Sequence, residues 1–407
     1  MQREKRVAVQ MGIDQAWKRH TGIFAGIHDY ARQRDNWRLI IDEWADHTLP
    51  GRGKSPSPYD GVVGRISAQG ARRARRLNLP VVNVWYNSPI RDLPSVFSDC
   101  EAGGRLRAEH LLARGFRHFG VVYHKPFQAS RDEARSFEQT VRESGCDSYS
   151  QIAEREFDES IDRRSENYRA WQKSNRALER WLDTLQLPVG LFIYHIDTAR
   201  VIIEMCRNRG WQVPEDVAIV AGTNEETICE RPEPALTSLE VPFEQIGFEA
   251  ARMLDGLMDR KAQGNSPHCD EIIPVMFLPP VGVVARQSTD FLAVDDPLVR
   301  QALRFIDENL HRPLTLQTVA NAANVSRRTL TSRFREKLHR TVAAEIQRLR
   351  IERVKRELTV SPRPIKQIAR TSGFVSQRTL NEAFRKQVGC SPTEFRAGHA
   401  STSQWRK

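Results

Sequence analysis

The sequence predicts an α/β domain of two lobes followed by an all-α domain that holds two helix-turn-helix units. Three observations predict it. Strand-like and helix-like segments alternate through the first 290 residues, one short pattern occurs twice between Pro313 and Arg396, and the basic charge is concentrated in that last part. The 407 residues suffice for two or three domains, and 62 Lys and Arg against 51 Asp and Glu give a net charge of +11. Residues 297–407 hold 23 basic against 8 acidic residues, a net +15, while the rest holds 39 against 43, a net −4.

Taken in order, Val7 to Met11 reads as a buried strand and Gly22 to Arg34 as a helix with Ile23, Ile27 and Tyr30 on one face. Trp37 to Ile41 and Gly61 to Val63 are strand-like, Ala68 to Leu77 is a basic-faced helix, and Val81 to Trp85 is a strand. Asp99 can cap a helix over Glu101 to Arg114, and Phe119 to Tyr123 is the next strand. Ser165 to Thr184 and Thr198 to Asn208 are helical, while Val189 to Tyr194 and Val217 to Ala221 are strands. Such alternation predicts parallel sheets with helices on both faces. Domain boundaries follow at 1–290, a linker at 291–297 and a helical domain at 298–400. The linker has acidic residues and no Gly/Ser tract, which predicts a stiff joint.

The repeat is the sharpest signal. Leu316, Val319 and Ala320 match Ile365, Ile368 and Ala369 at an offset of 49 residues. Ser326, Leu330, Phe334 and Arg335 match Ser376, Leu380, Phe384 and Arg385 at an offset of 50, so one extra residue is expected at Gly373-Phe374. Apolar residues at i, i+3 and i+4 give a buried stripe, Ser326 and Ser376 are suited to cap the helices that follow, and each Leu/Phe pair shares one face. The opposite faces carry Arg327, Arg328, Thr331 and Ser332 in the first copy, and Gln377, Arg378, Asn381 and Glu382 in the second. Such side chains read base edges, so double-stranded DNA is the expected partner of the basic domain. The basic helix Val342 to Leu358 would join the copies, with Arg348, Arg350 and Arg353 on phosphates. A basic helical adaptor for protein partners, with a vestigial ligand domain, is the alternative that the residues leave open.

Other classes have less to stand on. The six cysteines are scattered without a C-x-x-C pair, which predicts neither a disulfide framework nor a metal site. No G-x-G-x-x-G follows a strand, and no phosphate-loop, G-x-S-x-G or H-E-x-x-H motif occurs, so neither enzyme chemistry nor a cofactor is expected. The basic N-terminus precedes too short an apolar run for a secretory signal, and no apolar run approaches 18 residues. A soluble cytoplasmic protein without membrane contact is expected.

The closing run Gly373-Phe374, Leu380, Phe384-Arg385-Lys386, Gly389, Ser391-Pro392 and Phe395-Arg396 resembles the DNA-binding domain of the AraC/XylS transcription regulators. Ser332 stands where that family often has an Arg, with Arg333 displaced by one. The stretch with Asp197, Ala199, Gly210, Val213-Pro214-Glu215-Asp216-Val217, Gly222, Asn224, Pro234 to Ser238, Ile246-Gly247 and Ala250-Ala251 resembles the effector domain of LacI/GalR regulators, which is periplasmic-binding-protein-like. The domain order is similar to that of pentose-operon regulators. These resemblances imply an activator that binds a sugar, xylose or a related pentose, between two lobes, with RNA polymerase and a homodimer as further partners.

A sugar site needs flat apolar faces and groups that bond to neighbouring hydroxyls, supplied from loops after strand C-termini. By that rule Trp17, Arg19 and His20, then Trp85 with Tyr86 and Asn87, then Asp99 and Arg131 are the candidates from the first lobe's loops. His195, Asp197, Thr223, Asn224 and Glu225 are those from the second. Asp99 reads equally well as only a helix cap, each Trp as plain packing and Arg131 as a solvated helix start.

Overall fold

The computed structural model describes residues 4–13, 17–51, 56–146, 151–154, 166–264, 273–291, 296–338, 340–360 and 363–400. Residues 292–295 of the expected linker and Cys269, one of the six cysteines, lie outside the described residues. The chain divides into two compact units, Met1–Phe291 and Leu292–Lys407.

In the first unit, β1 (Lys5–Gln10), α1 (Lys18–Arg32), β2 (Trp37–Ile41), α2 (Ala45–Thr48), β3 (Gly61–Gly64), α3 (Ala68–Arg76), β4 (Val81–Asn83) and β5 (Ser95–Ser98) build one lobe. The other holds α4 (Cys100–Leu112), β6 (His118–Tyr123), α5 (Gln128–Glu143), β7 (Gln151–Glu154), α6 (Glu166–Leu182) and β8 (Val189–Ile193). It continues through α7 (Ile196–Asn208), β9 (Val217–Thr223), α8 (Glu226–Glu230) and β10 (Thr237–Glu240). The chain returns to the first lobe with α9 (Phe243–Ala262) and β11 (Val275–Leu278), and to the second with β12 (Gly282–Val284).

The first sheet runs β11-β5-β4-β3-β1-β2 and its pairings are parallel. The second runs β12-β10-β9-β8-β6-β7 and is parallel except where β12 joins β10. Helices on the sheet faces explain why Val7, Ala8 and Val9, or Leu191, Phe192 and Ile193, are apolar without alternation: parallel strands are buried on both faces. Three crossings join the lobes, at Asp99, at Val241-Pro242 and between Leu278 and Gly282. They bring loops from the C-terminal strand ends of both sheets to face one another.

Helices α5 and α9 are absent from the sequence reading. Along α9 the small residues Gly247, Ala250 and Ala251 interrupt the stripe of large apolar residues. Their purpose is close packing on α1. A Cβ at Gly26 would lie 1.8 Å from the Glu244 carbonyl oxygen, and one at Gly247 would lie 1.9 Å from that of Ile23.

The second unit is helical: α10 (Pro297–Glu308), α11 (Leu316–Ala322), α12 (Arg327–Leu338), α13 (Val342–Val360), α14 (Ile365–Thr371), α15 (Gln377–Val388) and α16 (Pro392–Ala400). Ile351, Val354 and Leu358 of α13 pack with Ile368, Ala369, Leu380 and Phe384, so the joining helix is built into the second repeat's core. The extra residue is not at Gly373-Phe374. Asn324 and Gly373 both take positive φ, 54° and 79°, and Val325 and Phe374 donate backbone N–H to Ala320 and Ala369. Those pairs keep the 49-residue offset, so the inserted residue is Val375, whose side chain is 98% exposed.

Candidate functional site

Each repeat folds as its residues dictate. Thr315 opens α11 with a capping box, and Ser326 Oγ accepts from the Thr329 N–H at 3.1 Å to start α12. Ser376 does the same for α15, its Oγ accepting from Thr379 N–H at 3.2 Å. Leu330 and Phe334, like Leu380 and Phe384, are fully buried. Burial of one face sets what the other presents. Arg327, Arg328 and Ser332 are exposed on α12, and Gln377, Arg378 and Glu382 on α15. Thr331 and Asn381 sit half-buried on the flanks, and the Thr331 hydroxyl donates back to the Arg327 carbonyl at 2.8 Å. Arg378 Nε donates to Glu382 Oε1 at 3.0 Å.

Four basic residues are spent internally, two of them, Arg348 and Arg350, expected on phosphates. Arg350 is not placed for a phosphate: its guanidinium donates to the Leu310 and Arg312 carbonyls at 3.2 and 2.7 Å, in the loop after α10. Arg333 binds Asp296 at 3.0 Å, and Asp296 in turn accepts from the Leu298 and Val299 N–H groups to cap α10. Arg348 pairs at 2.7 Å with Glu345, a fully buried carboxylate that also holds Arg340.

In the first unit the candidates separate into cleft and scaffold. Trp17 is 52% exposed just before α1, and Arg19 lies close enough to the Tyr194 phenol to oppose the rise that burial causes in its pKa. Trp85 is half-buried with the Arg65 guanidinium over its ring at 4.8 Å. His195 packs edge-on to Tyr194 and His124, at 5.0 and 5.3 Å between centroids, near Phe127. Asp197 is exposed in the first turn of α7, and Thr223 is half-buried at the end of β9.

Four candidates take local work instead. His20 is buried with Nδ1 2.8 Å from the Gly12 carbonyl, so it braces its own loop. Asp99 caps α4 by accepting from Ala102 N–H at 2.9 Å. Arg131, on α5 of the second lobe and not on a loop of the first, donates to the Lys125 carbonyl six residues back. Asn224 is buried, donates to Glu240 at 2.5 Å and accepts from Arg286 at 2.8 Å, which places it inside the lobe's own polar network.

Long-range contacts supply what the sequence reading missed. Arg107 and Glu133 form a buried ion pair at 3.0 Å, with the guanidinium 4.5 Å from the Phe192 ring centroid. Burial pushes the Glu133 carboxyl above its usual range while Arg107 holds it down. Across the cleft Tyr86 donates to Asp132 at 2.8 Å, and Asn87 accepts from the Ala129 N–H at 3.0 Å. At the other edge Lys18 binds Glu226 and Glu240 at 3.0 and 2.8 Å. Only the 46-residue separation of Tyr86 and Asp132 hid that bridge. Among the described residues no cluster of three His, Cys, Asp or Glu could hold a metal, and no helix is long and apolar enough to cross a membrane.

Residues 108–289 match the periplasmic binding protein-like domain family, and residues 319–398 match a helix-turn-helix domain family. The xylose operon regulatory protein of Escherichia coli (strain K12) is 29% identical over 228 residues, 56% of each chain. That of Haemophilus influenzae is 28% identical over 226 residues. The chain thus spans about half (56%) of the length of these curated relatives. The regulatory protein SoxS of Escherichia coli (strain K12) is 32% identical over 99 residues, 24% of this chain and 92% of that protein. Among solved structures, the xylose-binding transcription activator xylR superposes with a TM-score of 0.66 at 22% identity, covering 97% of this chain and 98% of that one. The transcription regulator CcpA of Lactococcus lactis gives 0.53 at 18% identity, covering 70% and 99%. Likeness at these identities concerns the fold alone.

Proposed function

Because the chain belongs to the AraC/XylS family of helix-turn-helix transcription regulators, we propose that it is a sugar-responsive transcription activator acting on promoter DNA. The observation that carries this reading is the pair of repeats, each burying its Leu/Phe face and turning Arg and polar side chains outward on a strongly basic unit. Two such units in one chain suit successive major grooves about 34 Å apart. Arg327, Arg328, Thr331, Ser332, Gln377, Arg378, Asn381 and Glu382 face bases or sugar-phosphate, Thr331 and Asn381 from the flanks.

The effector binds in the interlobe cleft. Trp17, Trp85 and Phe127 offer flat faces, while Arg19, His195, Asp197 and Thr223 offer polar groups. The resemblance to xylose-operon proteins supports a pentose. A homodimer in the cytoplasm that recruits RNA polymerase completes the reading. Because a ligand shifts an equilibrium only by its differential affinity, sugar and DNA must change each other's affinity by one common factor. Titration of the full chain with D-xylose, with and without promoter DNA, tests this. Saturable tryptophan quenching and log affinity for DNA falling by about 0.9 per phosphate for each decade of salt are expected. A flat salt response would sink the DNA assignment, and silence toward every pentose would sink the sugar.

A further inference from the structure

We propose that Arg378 and Glu382 form a pre-oriented guanine reader, which makes the second helix-turn-helix unit the more discriminating of the two. The proposal rests on the DNA-binding reading and goes beyond it by naming the base and the residues that choose it. Arg378 Nε donates to Glu382 Oε1 at 3.0 Å, with the two side chains 88% and 64% exposed. With Nε engaged, the two terminal nitrogens form the remaining fork. That fork matches O6 and N7 of guanine end-on in the major groove.

A stabilising role explains the pair poorly. Exposed ion pairs contribute little, and here the acid lies C-terminal to the base, the less favourable order on a helix. A carboxylate on the face turned to a polyanion also repels it. Glu382 is understandable there if it fixes the direction of Arg378, because a planar fork held in one orientation loses less freedom on binding. The first repeat lacks the device. Arg328 occupies the equivalent place with Ser332 one turn on, and among the described residues nothing pairs with its guanidinium.

The test uses the full chain and a randomised duplex library, followed by competitive titration of the selected site at fixed salt. One guanine in the half-site of the second unit should resist replacement, adenine there costing about tenfold in affinity. Arg378→Ala should erase that preference. Glu382→Ala should cut it to below about threefold while tightening random DNA, since a repelling charge has gone. Glu382→Gln keeps an oxygen for Nε and should retain more of the preference than Glu382→Ala. Unchanged guanine preference in Glu382→Ala, or equal weakening of cognate and random DNA, overturns the proposal while leaving DNA binding intact. A parent chain that enriches no sequence removes both readings together.

Discussion

Replacing Tyr86 by Phe isolates the bridge between the lobes. The ring packs edge-on against Phe97 and Phe277, at 5.2 and 6.4 Å between centroids, and Phe can keep both contacts. Only the hydroxyl is lost, and with it the 2.8 Å bond to Asp132. Burial first, then Asp132, pushes the Tyr86 phenol far above its usual pKa, so the donor proton is present at any ordinary assay pH. A hydrogen bond to a charged acceptor contributes about 1.5–3 kcal/mol, reduced to roughly 1 here because Tyr86 is half-exposed and water substitutes. The bond spans the two lobes, and on the proposed reading sugar holds them together. Its loss therefore subtracts from the sugar-bound state and should weaken D-xylose binding about fivefold. Calorimetry on the full chain measures this, and DNA affinity without sugar should stay at the parent value. In a cycle with Asp132→Ala the two losses should not add, because both remove one bond. A dissociation constant within a factor of two of the parent would refute the view that this bridge belongs to the bound state.

Two further outcomes follow from local geometry. Burial, then Arg114, holds the His110 imidazole well below its ordinary pKa, while its Nε2 lies 2.8 Å from Thr289 Oγ1. The unfolded chain takes up a proton below the unfolded value of about 6.5 and the folded chain refuses it, so stability is complete above that pH and falls below it. The fall should reach up to about 1.4 kcal/mol per pH unit in denaturant unfolding between pH 7.5 and 5, and His110→Gln should flatten it. An equal slope in the variant would exclude this assignment. Asp296→Asn keeps a capping oxygen for α10 but drops the charge that holds Arg333, so stability should change by less than about 1 kcal/mol. Released Arg333 should then engage a phosphate, tighten non-specific DNA binding and steepen the salt slope by up to about 1. An unaltered slope would mean that Arg333 does not reach the duplex.

The helix-turn-helix repeat was legible in the sequence because everything that makes it is local. Stripe, cap and turn fall within about twenty residues, and the Leu/Phe face settles which side chains point outward. The parallel sheets were legible for a related reason, since strands buried on both faces must be apolar without alternation. Tertiary structure decided what depends on partners far along the chain. Backbone dihedrals, not spacing, put the inserted residue at Val375. That α1 and α9 touch through Gly26 and Gly247 is visible only once both helices are in place. Arg350 looked like a phosphate ligand because charge is visible in a sequence and its nearest acceptor is not; carbonyls 38 and 40 residues away claim it, as a cap 37 residues away claims Arg333. The cleft follows the same rule. Sequence could name the loops that meet there, but whether Asn224 faces a ligand or Glu240 and Arg286, and whether Tyr86 reaches Asp132, is fixed only when the sheets have brought those loops together.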